Sequence, residues 1–243
     1  VQRPFFPEGP GVCHVYVLHP PGGIVGGDRL RVTADVDAGA HALLTTPAAT
    51  KVYRTAGPRA LVENRLRAAG GGVVEWLPQE TILFDGCDVV LDTRVDLAPG
   101  AAFLGLDVVC FGLPARREDG GFARGRARVG FEVWRDGAPV VVERGRFDGD
   151  APTHAAAWGL GGAPVMGTLL AAPAEPRDLA PLVAELREVD ELAVTTVGRG
   201  GVVACRAVGT SAERVGKVLR AAWALARRAL LNRDAVAPRI WAT

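Results

Sequence analysis

An internal echo constrains the fold of this chain more than any other feature. VTADVDAGAHALLTTP (32–47), ENRLRAAGGGVVEWLP (63–78) and TRVDLAPGAAFLGLDV (93–108) each run strand, small-residue turn, strand. Gly39, Gly70 and Gly100 mark the turns, 31 and 30 residues apart, and Pro47 and Pro78 each fall eight residues after their glycine. Polar and apolar residues alternate on both sides of each turn, which is the period of a half-buried strand. A unit this short cannot bury its apolar face alone, so its repetition predicts strand layers stacked on one another. The expectation is a mainly β, stacked-strand body, β-helix-like or solenoid-like, over about residues 1–170. FEVWRDGAPVVVERGRF, turning at Gly137, reads as a fourth member after a longer interval. On that reading Asp107 and Glu143 occupy similar places on successive layers, close to each other.

The tail has a different pattern, α-β-β-α over about residues 175–235, within a single domain spanning 1–243. PRDLAPLVAELREVD is helical, with Asp178 near its start and Leu179, Leu182, Val183 and Leu186 on one face. ELAVTTVGRGGVVACRAV reads as a hairpin turning at Arg199-Gly200-Gly201. In TSAERVGKVLRAAWALARRALLNR, Thr210 and Glu213 form a capping box. Val215, Val218, Leu219, Ala222, Leu225 and Ala229 then make one apolar stripe. The stretch 149–167 has little pattern and reads as a flexible or interface loop around Trp158 and Met166.

Glycine density in HPPGGIVGGDRL (19–30) invites a phosphate-cradle reading, and the spacing rejects it. Gly22 and Gly27 fit half of a P-loop, but Asp28-Arg29 stand where Lys-Ser/Thr is required. No GxGxxG is present, and a strand pattern follows. The glycines read as a sharp turn carrying Asp28.

Catalytic sets are scarce. Ser211 is the sole serine and sits at a helix start, which argues against a Ser-His-Asp triad. The four histidines show neither HxH nor HExxH spacing, and Cys13, Cys87, Cys110 and Cys205 form no CxxC pair. These read as ordinary buried thiols in a reducing cytoplasm. His14, adjacent to Cys13 on a strand, points away from it, as a core or solvent histidine. A net charge of +1 gives no reason to bind nucleic acid, and no apolar run spans a bilayer. Asp107 in FLGLDVVCF and Glu143 in PVVVERG are acids set among valines and leucines, where an unpaired charge is costly. Either they pair with arginine, Arg144 or Arg146 being nearest in sequence, or they line a wet interior. As a carboxylate pair they also suit glycoside hydrolysis on a β-solenoid. Two tyrosines and five scattered tryptophans offer that chemistry few sugar platforms.

VQRPFFPEG, CHVYVLHPPGGIVGGDRL, LLTTPAATKVYRT, EWLPQETILFDG, VVVERGRF and the terminal PRIWAT, in order along the whole chain, resemble the urease accessory protein family UreD, called UreH in some bacteria. Family members carry a few dozen residues before the VQRP stretch, so an N-terminal segment is expected to be lacking here. The resemblance implies a stacked-strand fold with two helices and a non-enzymatic, cytoplasmic scaffold. It implies partnership with UreF, the GTPase UreG and apo-urease, without nucleic acid or membrane. It implies no tightly bound cofactor, no catalytic residue and no stable metal site, but nickel in transit through an internal polar tunnel. Family positions for that passage fall on Asp28, Asp107 and Glu143, with Thr50 and Lys51 beside them. Nickel binds carboxylate, water and imidazole, and scattered carboxylates release an ion more readily than a His/Cys cage. A stand-alone nickel store would call for such a cage.

Overall fold

A computed structural model describes residues 3–115, 121–152, 154–198 and 200–242. Two sheets face each other, and the chain coils between them. β2 (Arg29–Val36), β5 (Ala60–Ala68), β8 (Asp88–Leu97) and β10 (Arg126–Arg135) lie parallel in one sheet. β3 (His41–Thr45), β6 (Val73–Leu77) and β9 (Ala102–Phe111) lie parallel in the other, preceded by β1 (Cys13–Tyr16). β4 (Thr50–Val52) and β7 (Thr81–Leu83) complete the first two circuits beside the distal half of β9.

The sequence echo is therefore the coil itself. Residues about one repeat apart stack: Arg31 pairs with Glu63, 32 residues on, and Asn64 with Thr93, 29 residues on. The corner glycines Gly39, Gly71 and Gly100 have φ of 70°, 72° and 75°, a left-handed conformation that side chains resist. In the middle circuit Gly71, and not the expected Gly70, takes that conformation.

The fourth member departs from the expectation. At Asp136–Gly137 the chain folds back on itself, and β11 (Ala138–Asp148) runs antiparallel to β10 in the same sheet. A hairpin and a coil corner need the same turn residues and the same strand periods, so the sequence pattern does not separate them. Asp107 and Glu143 consequently stand on opposing sheets, not on successive layers of one.

β12 (Val165–Ala172), β14 (Val203–Gly209) and β13 (Ala193–Val197) extend the β9 sheet in antiparallel fashion. Arg199, in the expected hairpin turn, lies outside the described residues. Helix α2 (Ala212–Leu231) covers the outer side of this sheet over β9, β12 and β14, and α1 (Ala180–Arg187) packs beside it. The cap of α2 is Ser211, whose Oγ accepts from the N–H of Arg214, not Thr210. Val215, Val218, Leu219 and Ala222 are buried as expected. The buried stripe then continues through Trp223, Ala226 and Arg227, leaving Ala229 exposed. Gly167 lets the helix approach, since a Cβ there would lie 2.6 Å from Leu219.

One core lies between sheet and helices, built from Leu104, Leu106, Leu169, Val203 and Leu219. A second lies between the sheets, around Phe103, Phe131 and Leu170, and continues to Phe111 and Val129. The outer face of the five-stranded sheet is a lattice of arginine–carboxylate pairs, among them Arg65–Asp92, Arg94–Asp96 and Arg144–Glu132. Such pairs solvate a broad sheet face and add little stability singly. Cys87, Cys110 and Cys205 are buried free thiols, and burial pushes Cys87 and Cys110 up to about 12. Among the described residues no helix is long and apolar enough to cross a membrane.

Candidate functional site

Strand alternation decides where Asp107 points. Leu104, Leu106 and Val108 of β9 face the helices, whereas Phe103, Val109 and Phe111 face the opposing sheet. Asp107 falls in the second set, a carboxylate in an otherwise apolar row. Its register partner on β12 is Thr168, and Thr168 pairs in turn with Arg206 on β14. Arg206 is followed by Val194 on the edge strand β13, which is 63% exposed. A line of polar side chains thus crosses the inner face of the sheet from Asp107 to Arg206, one strand short of its open edge. At two strand spacings, the Asp107 and Arg206 backbones are about 10 Å apart. On the other side of Asp107 the neighbouring strand is broken. β6 pairs with β9 up to Gly105, β7 resumes at Val109, and residues 78–80 bridge the interval.

Glu143 reaches this line from the opposing sheet. It sits on β11 opposite Phe131 and faces inward, while its neighbours Arg144 and Arg146 face outward to Glu132 and Asp148. The salt bridge that sequence allowed exists, with a different partner: Arg206 donates from Nη2 to Glu143 Oε1, and from Nη1 to Thr196 Oγ1 at 3.2 Å. Asp107, Glu143, Thr168, Arg206 and Met166 line one pocket of about 400 Å³ between the sheets. Asp107 has no ion-pair partner among the described residues. Burial pushes its carboxyl up to about 6, opposed only by the N–H of Val108. The pocket so combines one arginine-paired carboxylate with one that has no cation partner among the described residues.

The other expected positions lie elsewhere. Asp28 closes its own turn, with Oδ2 accepting from the N–H of Val25 at 2.9 Å, and it does not line the pocket. The glycines beside it answer the phosphate question structurally. Ile24 bridges Val52, and a Cβ on Gly23 or Gly26 would strike Tyr53 or Thr55. HPPGGIVGGD and TTPAATKVYRT are therefore two halves of one packed unit. Thr50 and Lys51 stand on β4, register partners of Thr81 and Ile82, with Lys51 exposed. The structure brings Asp107 and Glu143 together, and sets Asp28, Thr50 and Lys51 apart from them.

A second polar centre escaped the sequence reading. Glu75, fully buried on β6, accepts from His41 Nε2 at 2.6 Å and from Trp223 Nε1 at 2.6 Å. It also accepts from Arg227 Nε at 3.0 Å. Arg227, fully buried, also bonds Glu8 at 2.8 Å and the Asp234 carbonyl, and Glu8 accepts from His14 Nε2 at 2.7 Å. Burial alone would raise the Glu75 carboxyl. The hydrogen bond from His41 and the charge of Arg227 overcome it and hold the group below the usual range. This network ties the N-terminal segment, the coil and α2 together. His14 is thus a core histidine, which decides between the core and solvent readings that its sequence left open. Among the described residues no group of three or more His, Cys, Asp or Glu could hold a metal ion.

Comparison with known proteins agrees with the resemblance carried by the motifs. The profile described as UreD urease accessory protein matches residues 1–242. The urease accessory protein UreD of Alcanivorax borkumensis is 40% identical, over all of this chain and 82% of that protein. The UreD proteins of Azoarcus sp. and Nostoc sp. are 44% and 39% identical, over all of this chain and 85% and 86% of theirs. Identity at this level along the entire length, on a coil of the expected class, places the chain in the UreD urease accessory protein family.

Proposed function

We infer that the protein serves urease maturation as a non-catalytic scaffold. It couples UreF and UreG to apo-urease, and it passes nickel along the polar line between its sheets. The observation that carries this reading is Asp107, a carboxylate without a cation partner among the described residues, set in a pocket lined otherwise largely by apolar groups. Placing a carboxylate there destabilises the fold unless a positive charge visits, and a travelling divalent ion is such a charge. Carboxylate and hydroxyl oxygens are adequate ligands for nickel, and two or three of them hold it weakly enough for release. Asp107, Thr168 and Glu143 supply that set, while Asp28 on its turn and Thr50 and Lys51 on β4 serve away from this pocket. Nickel is cargo here and not a resident cofactor. Glycoside hydrolysis finds less support, because the described pocket wall offers a sugar ring few platforms, Phe131 and Phe147 being its aromatics.

The test is urease activation with UreF, UreG and apo-urease supplied. Asp107→Asn is expected to lower activation at least tenfold while co-purification of the complex is unchanged. Full activation by that variant would remove the passage role, and loss of the complex would assign Asp107 to assembly instead.

A further inference from the structure

The polar line ends on a cation. Arg206 and Glu143 come from different sheets, 63 residues apart in sequence, and meet at the mouth of the pocket. The Arg206 side chain is 43% exposed and that of Glu143 27%, so the pair stands where solvent reaches it and its contribution to stability is small. Arg206 is flanked on β13 and β14 by Val194, Val208 and Thr196, all exposed, so its guanidinium stands at a solvent-facing edge of the sheet. Nothing apolar in that neighbourhood requires an arginine. The residues that demand one are the acids of the pocket.

We propose that Arg206 is a displaceable plug: its guanidinium neutralises the Glu143 carboxylate, through Oε1, that a divalent cation would otherwise use together with Asp107, and so closes the outer end of the line to metal. The proposal rests on the passage reading and adds its gate. A guanidinium on Glu143 Oε1 sets a positive charge beside any divalent ion that approaches the same carboxylate, and the two repel one another. With Arg206 in place the pocket offers a cation one carboxylate, Asp107. With Arg206 swung to solvent it offers two, one from each sheet. The competition is between positive charges, so lysine at this position keeps part of the plug, without the guanidinium's second donor to Thr196, and a neutral side chain of similar length removes it.

Equilibrium dialysis of the full chain against nickel(II) decides the matter, with circular dichroism confirming the fold of each variant. Arg206→Gln is expected to bind one nickel at least tenfold more tightly than the unsubstituted protein. Arg206→Lys should gain less than Arg206→Gln, and Arg206→Gln/Glu143→Gln and Arg206→Gln/Asp107→Asn should each lose the gain. Arg206→Met, which keeps the apolar stem, replaces the glutamine variant if the latter misfolds. Unchanged affinity in Arg206→Gln or Arg206→Met overturns the plug, as does a gain that survives Glu143→Gln. If Asp107→Asn stops urease activation while Arg206→Gln leaves affinity unchanged, the plug falls and the passage stands. If the affinity gain appears while Asp107→Asn activates urease fully, the plug stands on a cation pocket and the passage falls.

Discussion

Arg227→Met isolates the buried network at its centre. Arg227 is fully buried, and its guanidinium serves Glu75, Glu8 and the Asp234 carbonyl at once. Methionine fills most of the stem's volume, so the loss is chiefly electrostatic: two carboxylates, 0% and 6% exposed, lose their shared cation. Breaking a buried ion pair by removing one partner costs about 3–5 kcal/mol, because the remaining charge stays desolvated. Unfolding entropy of about 2.1 cal/mol/K per residue makes each kcal/mol worth about 2 °C in a chain of 243 residues. The midpoint of thermal unfolding should therefore fall by about 6–10 °C. Urea titration at neutral pH measures the free energy directly. Adding Glu75→Gln to Arg227→Met should then cost less than the two single losses together, with a coupling of about 1–3 kcal/mol. A loss below about 1 kcal/mol for Arg227→Met, or strictly additive losses in the double variant, would refute the argument that this network clamps the N-terminal segment to α2.

Two further outcomes follow from the geometry. The Asp107 carboxyl sits at about 6 in the folded protein, above its ordinary value near 4, so the folded state holds the proton more tightly and stability declines as pH rises through that interval. Asp107→Asn should accordingly raise stability by roughly 1–3 kcal/mol at pH 8 and change it little at pH 4. Denaturant titrations at the two pH values check this, and destabilisation at pH 8 would contradict an uncompensated charge. Gly26→Ala puts a Cβ 1.9 Å from Thr55 Oγ1 and 2.9 Å from the Pro58 carbonyl, and overpacking of this kind costs about 1–3 kcal/mol. Gly121→Ala, where a Cβ meets none of the described residues within 4 Å, is its control, and equal urea midpoints for the two would contradict the packed-unit account of the glycine run.

Local patterning carried much of the architecture. Gly39 and Gly100 announced coil corners because a left-handed residue between two alternating strands leaves few other choices. Gly137 announced a corner equally well and made a hairpin, because the turn does not record which sheet the next strand joins. The same limit governed the site. The expected proximity of Asp107 and Glu143 came from the layer argument, which was wrong in geometry, and the two line one pocket from opposing sheets instead. Arg206 was not legible as the partner, since Arg144 and Arg146 are close in sequence and only strand alternation turns them to the outer face. The Glu75–Arg227 pair, 152 residues apart, had one local sign in each partner: a glutamate within VVEWL and an arginine on the buried face of a helix. Two buried charges of opposite sign in separate elements are a reason to pair them before any coordinates exist.

The central claim is that Asp107 is the carboxylate a passing cation meets between the sheets. Protein labelled with carbon-13 at the aspartate carboxyls, titrated with paramagnetic nickel(II) at pH 7.5, tests it without reference to any partner. The account predicts that the Asp107 resonance broadens at the lowest nickel additions, ahead of Asp28 and of the outer-face acids Asp35 and Asp96. Broadening that begins at those surface carboxylates and leaves Asp107 sharp would contradict it.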